Sequence, residues 1–223
     1  GRVYRKEKMR QPINTSTIGG VVNPLFSTPL YTNLLNRSFH EHEHQCFGDV
    51  LQRMRHNTGN LASMDCYVLN DERLSDLKTW LQSCVDDYFN IVFCPSKNIE
   101  PYITISWINC TENGRYHHKH NHPNSIISGV FYIDVDESSD SIVFHKDEYG
   151  HIRFYPHQDN YNLYNAESWT LSTQTGVLML FPSSLTHSVS STKSISMRIS
   201  LSFNVFVKGI LGDEDTKTFL ELK

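Results

Sequence analysis

The chain has 223 residues, of which 39% are hydrophobic and 20% charged, as in an ordinary globular protein. This length fits one domain that is large enough to bury a core. The formal net charge of −4 argues against non-specific binding of nucleic acid, which needs a basic surface. No apolar run approaches the roughly twenty residues that a membrane-spanning helix requires.

The cysteine pattern indicates the compartment. Five cysteines are an odd number, and none of them forms a C-x-x-C motif. We therefore expect free thiols and a reducing, cytoplasmic environment rather than a disulfide framework.

The first half of the chain favours helices. A helical region is predicted from Leu34 to about His56, after a short edge strand that prolines interrupt near residues 23–31. A second helix is predicted to begin after Asp71 or Ser75, either of which could cap it. Its apolar residues at helical spacing are Leu74, Leu77, Trp80, Leu81, Cys84, Val85 and Tyr88.

The character of the sequence changes after Pro95 to short segments rich in β-branched and aromatic residues. No helix-length pattern interrupts them, so the sheets should be mainly antiparallel. The predicted fold is mainly β: a double-stranded β-helix (jelly roll) with two or three N-terminal helices packed on it. The predicted strands are residues 102–108, 126–135, 141–144, 152–155, 169–173, 177–181 and 197–207.

These elements predict four segments of the chain. They are an extended N-terminal arm (1–24), a helical N-terminal part (25–95), the β-helix core (96–212) and a polar C-terminal tail (213–223).

Three histidines and one arginine carry the chemistry. His120 and His122 stand two residues apart at the entry to an apolar strand, where both side chains can face the same side. His187 ends another apolar run, and Arg198 lies between apolar neighbours on a later strand. Neutral imidazoles bind divalent iron, and a buried arginine pairs with a carboxylate. The pattern therefore predicts a metal site that also holds a small acid.

Other interpretations of the histidines stay open. The H-x-H pair could belong to a polar surface loop, and His117 and His118 compete with it as ligands. The alternating His40, His42 and His44 are typical of a solvated face before a helix.

The remaining candidates also have two interpretations each. Arg198 could form a structural salt bridge with Glu167 instead of binding a ligand. Trp107 and Asn109 could line the pocket, or Trp107 could belong to the core. The aromatic loop at residues 145–169 could be a substrate-covering lid, or its rings could pack onto the sheet.

Three segments together resemble a known family. They are Gly114–Tyr132 with its H-x-H-P, Leu180–Val189 with F-P-S-x-L-x-H, and Arg198–Asn204 with R-I-S-L-S. Their order and spacing, over about residues 100–207, resemble the 2-oxoglutarate/iron(II) oxygenases related to prolyl 4-hydroxylases, in the H-x-H variant found in marine bacteria and their phages.

The resemblance implies a role for each matching residue. His120 would be the first iron ligand and His187 the distal one. Arg198 would bind the far carboxylate of 2-oxoglutarate, helped by the Ser200 hydroxyl and by Tyr132. The cofactors would be Fe(II) and 2-oxoglutarate, with ascorbate as the reductant in assays.

One position departs from the superfamily pattern, because His122 stands where Asp or Glu is usual. A neutral third ligand leaves the metal one charge more positive. With His120, His122 and His187 as the ligand set, the expected activity is oxidation of a C–H bond by dioxygen, with release of succinate and CO2.

Two alternatives to this activity stay open. One is a non-catalytic jelly-roll binding or phage structural module with a vestigial metal site. The other is a cofactor-independent three-histidine dioxygenase, which Arg198-x-Ser200 disfavours. The prime substrate is open among protein side chains, amino acids, nucleobases and lipids. A phage origin would place the protein in the host cytoplasm or in the virion, where virion or homo-oligomer contacts are expected.

Overall fold

The structure is a computed structural model that describes residues 18–95, 98–146, 154–157 and 160–223. These residues form two α-helices, two short 3-10 helices (Val68–Asn70 and Glu72–Leu74) and twelve strands. In chain order, the helices and strands are β1 (Tyr31–Leu34), α1 (Glu41–Leu51), β2 (Met54–His56), β3 (Leu61–Ser63), α2 (Ser75–Val92), β4 (Ile99–Thr111), β5 (His117–His120), β6 (Ile127–Asp134), β7 (Ser141–His145), β8 (Ser168–Ser172), β9 (Val177–Pro182), β10 (His187–Val189), β11 (Arg198–Leu211) and β12 (Leu220–Leu222).

The strands form two antiparallel sheets. The major sheet has the order β1-β9-β6-β11-β4-β3-β2, with β12 added beside β11, and the minor sheet has the order β5-β10-β7-β8. Side chains of β6 and β9 pack against Ile142 and Phe144 of β7, so the two sheets face each other. The predicted jelly roll with N-terminal helices is confirmed.

The major sheet separates two apolar clusters, because successive side chains of a strand point to opposite faces. Phe131 of β6 packs against the helices, and its ring lies 5.9 Å from that of Trp80. The next residue, Tyr132, belongs to the cluster between the sheets. One face of this sheet therefore packs against the helices, and the other lines the jelly-roll interior between the two sheets.

The second predicted helix is confirmed as α2, which covers the outer face of the major sheet. Leu77, Leu81 and Val85 recur every four residues and are fully buried. The Asp71 side chain accepts a hydrogen bond from the Arg73 backbone N–H and so begins the 3-10 turn that leads into α2. Asp71 thus caps the start of this helical segment, one turn ahead of Ser75.

A close contact on the outer face fixes the spacing of β6 and β11. Gly129 and Phe203 are direct neighbours in the ladder, and the Phe203 ring occupies the space that a Cβ atom on Gly129 would need. Close packing against Phe203 thus explains why β6 has a glycine at position 129.

Several predicted boundaries were wrong. The region from 34 to 56 contains one helix only over Glu41–Leu51, and Met54–His56 forms β2, a strand that pairs with β3. The short strands β3, β5, β10 and β12 were not predicted, because three or four residues carry too little alternation to detect.

The long connection between β7 and β8 is only partly described. The predicted strand at 152–155 begins outside the described residues. Its last two residues, Phe154 and Tyr155, are exposed and lie outside any strand. For these two rings, the interpretation as packing onto the sheet was wrong.

Candidate metal centre

The candidate site lies at the mouth of the minor sheet, where β5 and β10 meet. His187 begins β10 and pairs directly with His120, the last residue of β5. His122 follows two residues later, and its backbone N–H donates to the Ser183 carbonyl at 3.0 Å. This backbone contact holds His122 beside the turn that follows β9 and leads to His187 at the start of β10.

The three imidazoles converge. One ring nitrogen from each of His120, His122 and His187 lies within 4.8 Å of the others. The Nε2 atoms of His122 and His187 are 3.4 Å apart, and their rings are parallel within 7°. Two nitrogens bound about 2.1 Å from one ion would be about 3.0–3.4 Å apart, so this pair already has the spacing of metal ligands.

Backbone carbonyls fix the orientation of two of these rings. The Nδ1 atom of His120 lies 2.7 Å from the His118 carbonyl, and that of His187 lies 3.0 Å from the Leu185 carbonyl. A carbonyl only accepts, so each Nδ1 carries the proton and each Nε2 keeps a free lone pair. This arrangement is typical of histidines that bind metal.

The site favours neutral imidazoles. Burial, followed by the charge of His120, lowers the pKa of His187 to about 3 and that of His122 to about 4. Burial also lowers the pKa of His120. All three rings are therefore deprotonated at neutral pH, which is the form that binds a metal.

Arg198 lies inside the jelly roll, at the start of β11. The residue is 3% exposed, and its guanidinium carbon lies 5.3 Å from the centre of the Tyr132 ring. Its Nε atom has no hydrogen-bond partner, and no carboxylate among the described residues forms an ion pair with it. Glu167 is exposed and does not pair with it. The salt-bridge interpretation of Arg198 was therefore wrong.

The other predicted contacts share this interior face. Ser200 is 2% exposed and pairs directly with Tyr132 of β6. Tyr132 is fully buried, with its hydroxyl 3.9 Å from the Met179 sulfur. Arg198, Ser200 and Tyr132 thus line one wall of the interior, and their roles toward a ligand stay a prediction.

β4 supplies a further wall. The Trp107 ring lies 5.6 Å from that of His122, which places Trp107 beside the histidines. Asn109 is buried and donates a hydrogen bond to the Ser202 hydroxyl at 3.0 Å. Thr111, fully buried opposite Arg198, was missed by sequence reasoning, although the period of two from Trp107 through Asn109 already points to it.

The two histidine clusters that the sequence offered as alternatives lie in different places. His40 and His42 stack on each other at 5.2 Å on the first turn of α1, far from the site in sequence. The His117 ring, in contrast, lies 4.3 Å from that of His120 and is held next to the candidate ligands.

An iron ion and a keto acid fit these residues. Three neutral nitrogen donors suit iron(II), and they leave coordination positions open for an acid. The buried guanidinium Nε without a partner is a donor that an acid's carboxylate would satisfy.

Residues 105–204 match the family model described as "Putative 2OG-Fe(II) oxygenase". Over these residues, a little under half of the chain, the protein is similar to the 2OG-Fe(II) oxygenase family. Iron and 2-oxoglutarate are the cofactors of that family, in agreement with the sequence prediction. No curated protein sequence matches the chain.

Solved structures support the oxygenase fold. A prolyl hydroxylase from Trichoplax adhaerens, solved with a hypoxia inducible factor peptide, is 15% identical, with a TM-score of 0.52 over 80% of this chain and 82% of that one. A prolyl-4-hydroxylase from Pseudomonas putida is 10% identical, with a TM-score of 0.51 over 80% and 93%. HygX from Streptomyces hygroscopicus, solved with nickel and 2-oxoglutarate, is 10% identical, with a TM-score of 0.54 over 80% and 82%.

Neither α-helix in the described part of the chain combines the length and the apolar character that a bilayer crossing requires.

Proposed function

We propose that this protein is a 2-oxoglutarate-dependent hydroxylase. Its reaction would combine a C–H substrate, dioxygen and 2-oxoglutarate to give the hydroxylated product, succinate and CO2. One oxygen atom enters the product and the other enters succinate, so the atoms balance. Iron(II) and 2-oxoglutarate, when bound, supply the oxidising chemistry, and the protein supplies binding, orientation and exclusion of water.

The observation that carries this proposal is Arg198. A guanidinium that is 3% exposed, with an unpartnered Nε and no carboxylate beside it in the described residues, is costly unless a ligand neutralises it. It shares the jelly-roll interior with the converging histidines. A dicarboxylate that spans the two would satisfy both ends of the site.

The residue roles follow from this placement. His120, His122 and His187 would hold the metal through their Nε2 atoms, on one side of the ion. Arg198 would bind the far carboxylate of 2-oxoglutarate through its planar fork. Ser200, on the same face of β11, would donate to that carboxylate.

Two aromatic residues would shape the pocket. The Tyr132 ring lies under the Arg198 guanidinium and supports its position through a cation–π contact. The Trp107 ring lies beside His122 and would shield that side of a bound metal from water.

The electrostatics of the site favour a dianion. Among the described residues, the charged groups that act on the four central imidazoles, His117, His120, His122 and His187, are other histidines and Arg198. A dication with three neutral ligands and one arginine carries about three positive charges before a ligand binds. The two carboxylates of 2-oxoglutarate offset most of that charge.

The test is binding and turnover with matched variants. Purified protein with iron(II), ascorbate and 2-oxoglutarate should release succinate slowly even without the prime substrate. Arg198→Lys should weaken 2-oxoglutarate binding by about 10-fold or more, because lysine offers a point charge instead of a fork. His187→Ala should abolish succinate release, and His42→Ala, on exposed α1, should leave both quantities unchanged.

Absence of 2-oxoglutarate binding and of succinate at every iron concentration would overturn the proposal. The chain would then be better described as a non-catalytic jelly-roll module, the alternative that the sequence left open.

A further inference from the structure

β5 carries more imidazoles than one metal needs. It reads His117-His-Lys-His120, so three of its four residues are histidines. Two of them, His117 and His118, have no role in the proposed hydroxylase site.

An irregularity in the ladder brings these histidines together. His120 pairs with His187 and His117 pairs with Val189, so three steps along β5 correspond to two steps along β10. The extra residue in β5 is a bulge. In a regular strand, residues three apart face opposite sides, but across a bulge they can face the same side.

The resulting cluster is compact. The ring of His120 lies 4.3 Å from that of His117 and 4.9 Å from that of His118, and the latter two are 5.2 Å apart. One nitrogen from each of the three lies within 4.8 Å of the others.

Hydrogen bonds leave a free lone pair on each ring. The Nδ1 of His118 lies 3.4 Å from the Thr58 carbonyl, and that of His120 lies 2.7 Å from the His118 carbonyl. Both Nε2 atoms therefore stay available. His117 has no hydrogen-bond partner among the described residues, so either of its nitrogens can turn toward the cluster.

We propose that His117, His118 and His120 form a second metal position, which competes with the first for His120. The single free nitrogen of His120 can bind one ion at a time, so the two positions cannot be filled together. This exclusivity rests on the proposed role of His120 in the hydroxylase site, whereas the existence of the second position does not.

The second position offers the same kind of donors as the first. Three neutral imidazoles without a carboxylate suit Zn²⁺, Ni²⁺ or Cu²⁺ and disfavour Mg²⁺ and Ca²⁺, which prefer oxygen ligands. All three histidines are half-buried, whereas the first set includes the buried His187. The second position is thus the more accessible to an ion from solution.

The consequence is a metal-sensitive centre. An ion held by His117 and His118 removes His120 from the first set and leaves it with His122 and His187 alone. Zn²⁺ or Cu²⁺ should therefore displace bound iron(II) or block its loading, with one ion per chain.

Copper spectroscopy on the whole protein tests this inference. Protein without a polyhistidine tag, loaded with less than one equivalent of Cu²⁺, should show two electron paramagnetic resonance spectra, one for each position. His118→Ala should remove one spectrum and His187→Ala the other. His42→Ala, at the exposed stacked pair of α1, should remove neither. A single spectrum, or one that His118→Ala does not change, would contradict the second position.

Titration with Ni²⁺ gives an independent measurement. The double variant His122→Ala, His187→Ala should still bind one equivalent, and adding His118→Ala should lower that affinity at least tenfold. If the double variant is not folded, as judged by circular dichroism, the copper spectra of the single variants decide.

These outcomes are separate from those of the hydroxylase test. If the protein bound no 2-oxoglutarate, the proposed function would be rejected. The copper spectrum that depends on His118 should still be present.

Discussion

Thr111 and Arg198 face each other across the ladder of β4 and β11, and each keeps a buried polar side-chain atom without a hydrogen-bond partner among the described residues. Directly paired residues share a face of the sheet, so both atoms belong to the jelly-roll interior. One acceptor placed between the two atoms would satisfy both. The pair therefore supports the proposal that a carboxylate of 2-oxoglutarate binds beside Arg198.

Thr111→Val should raise the free energy of unfolding and lower the affinity for 2-oxoglutarate. The variant keeps the shape and removes a buried hydroxyl without a partner, so the ligand-free protein should become about 1 kcal/mol more stable. If the hydroxyl binds 2-oxoglutarate, the affinity for that acid should fall about 10-fold to 100-fold, which is the worth of one hydrogen bond to a charged group. Urea unfolding and calorimetric titration measure the two effects.

Thr173→Val is the matched control, because Thr173 also carries a buried hydroxyl without a partner but lies at the end of β8. It should stabilise to a similar degree and leave 2-oxoglutarate affinity unchanged. Equal 2-oxoglutarate affinity in wild type and Thr111→Val would exclude Thr111 from the binding site.

Metal and 2-oxoglutarate should bind with strong positive coupling. Three neutral ligands leave the ion's charge for the co-substrate to offset, so each should raise the affinity of the other by about 10-fold to 100-fold. His122→Asp places a carboxylate beside the ion. This variant should bind metal more tightly in the absence of 2-oxoglutarate, and the coupling should be smaller than in wild type.

Ni²⁺ titrations with and without 2-oxoglutarate measure this coupling and avoid turnover. His42→Asp makes the same change of charge on the surface and should leave the coupling as in wild type. Coupling that is equal in wild type and His122→Asp would show that the ligand's charge does not govern it.

The metal-free protein should lose stability as the pH falls below neutral. Burial lowers the pKa of His187 to about 3, and in the unfolded chain it is about 6.5. Above pH 7, His187 is neutral in both the folded and the unfolded state, so its protonation does not affect the free energy of unfolding. At pH 5 only the unfolded state binds the proton, which costs the folded state about 2 kcal/mol for this residue.

Urea unfolding at pH 7.5 and pH 5, without metal, checks this effect. In His187→Gln the loss between the two pH values should be about 2 kcal/mol smaller than in wild type. Identical losses would mean that the folded protein protonates His187 as readily as the unfolded chain does.

Gly129→Ala should destabilise the fold without touching the site. Its new methyl group would overlap the Phe203 ring, and overpacking of this kind costs about 1–3 kcal/mol or more. Gly48→Ala is the opposite case. Gly48 lies in α1 with open space where the alanine methyl group would stand, so alanine should stabilise the helix by about 1 kcal/mol. Thermal unfolding of both variants should shift in opposite directions.

The fold was predictable where the sequence pattern is long. α2 repeats its apolar face over five turns, and β4, β6, β9 and β11 are strongly apolar or alternating segments, so their type was correct. The prediction for residues 34–56 was wrong in part because Met54 extends the apparent helical period past Leu51, where α1 ends. Pairing with β3 then determines the conformation of β2, and no local pattern shows that pairing.

The site was predictable for residues with a distinctive motif and less so for the rest. The H-x-H pair, His187 and Arg198 stand at strand ends that hydrophobic patterning locates. Their convergence depends on the β5–β10 pairing, which brings His120 opposite His187. The position of His117 could not be predicted, because the bulge that turns it toward His120 is a property of the ladder and not of β5 alone.

The strict division of the major sheet into two faces has a consequence for how this protein can change. On β11, Leu201 and Phe203 pack against the helices, whereas Ser200 and Ser202, which alternate with them, face the interior. Substitutions at the interior positions can alter the pocket without removing contacts that hold the helices. On β4 the alternation shifts at the bulge around Thr104. A library that varies only the interior-facing residues of β4 and β11 should therefore yield mostly folded proteins with altered substrate preference, whereas a library of the helix-facing residues should yield mostly unfolded chains.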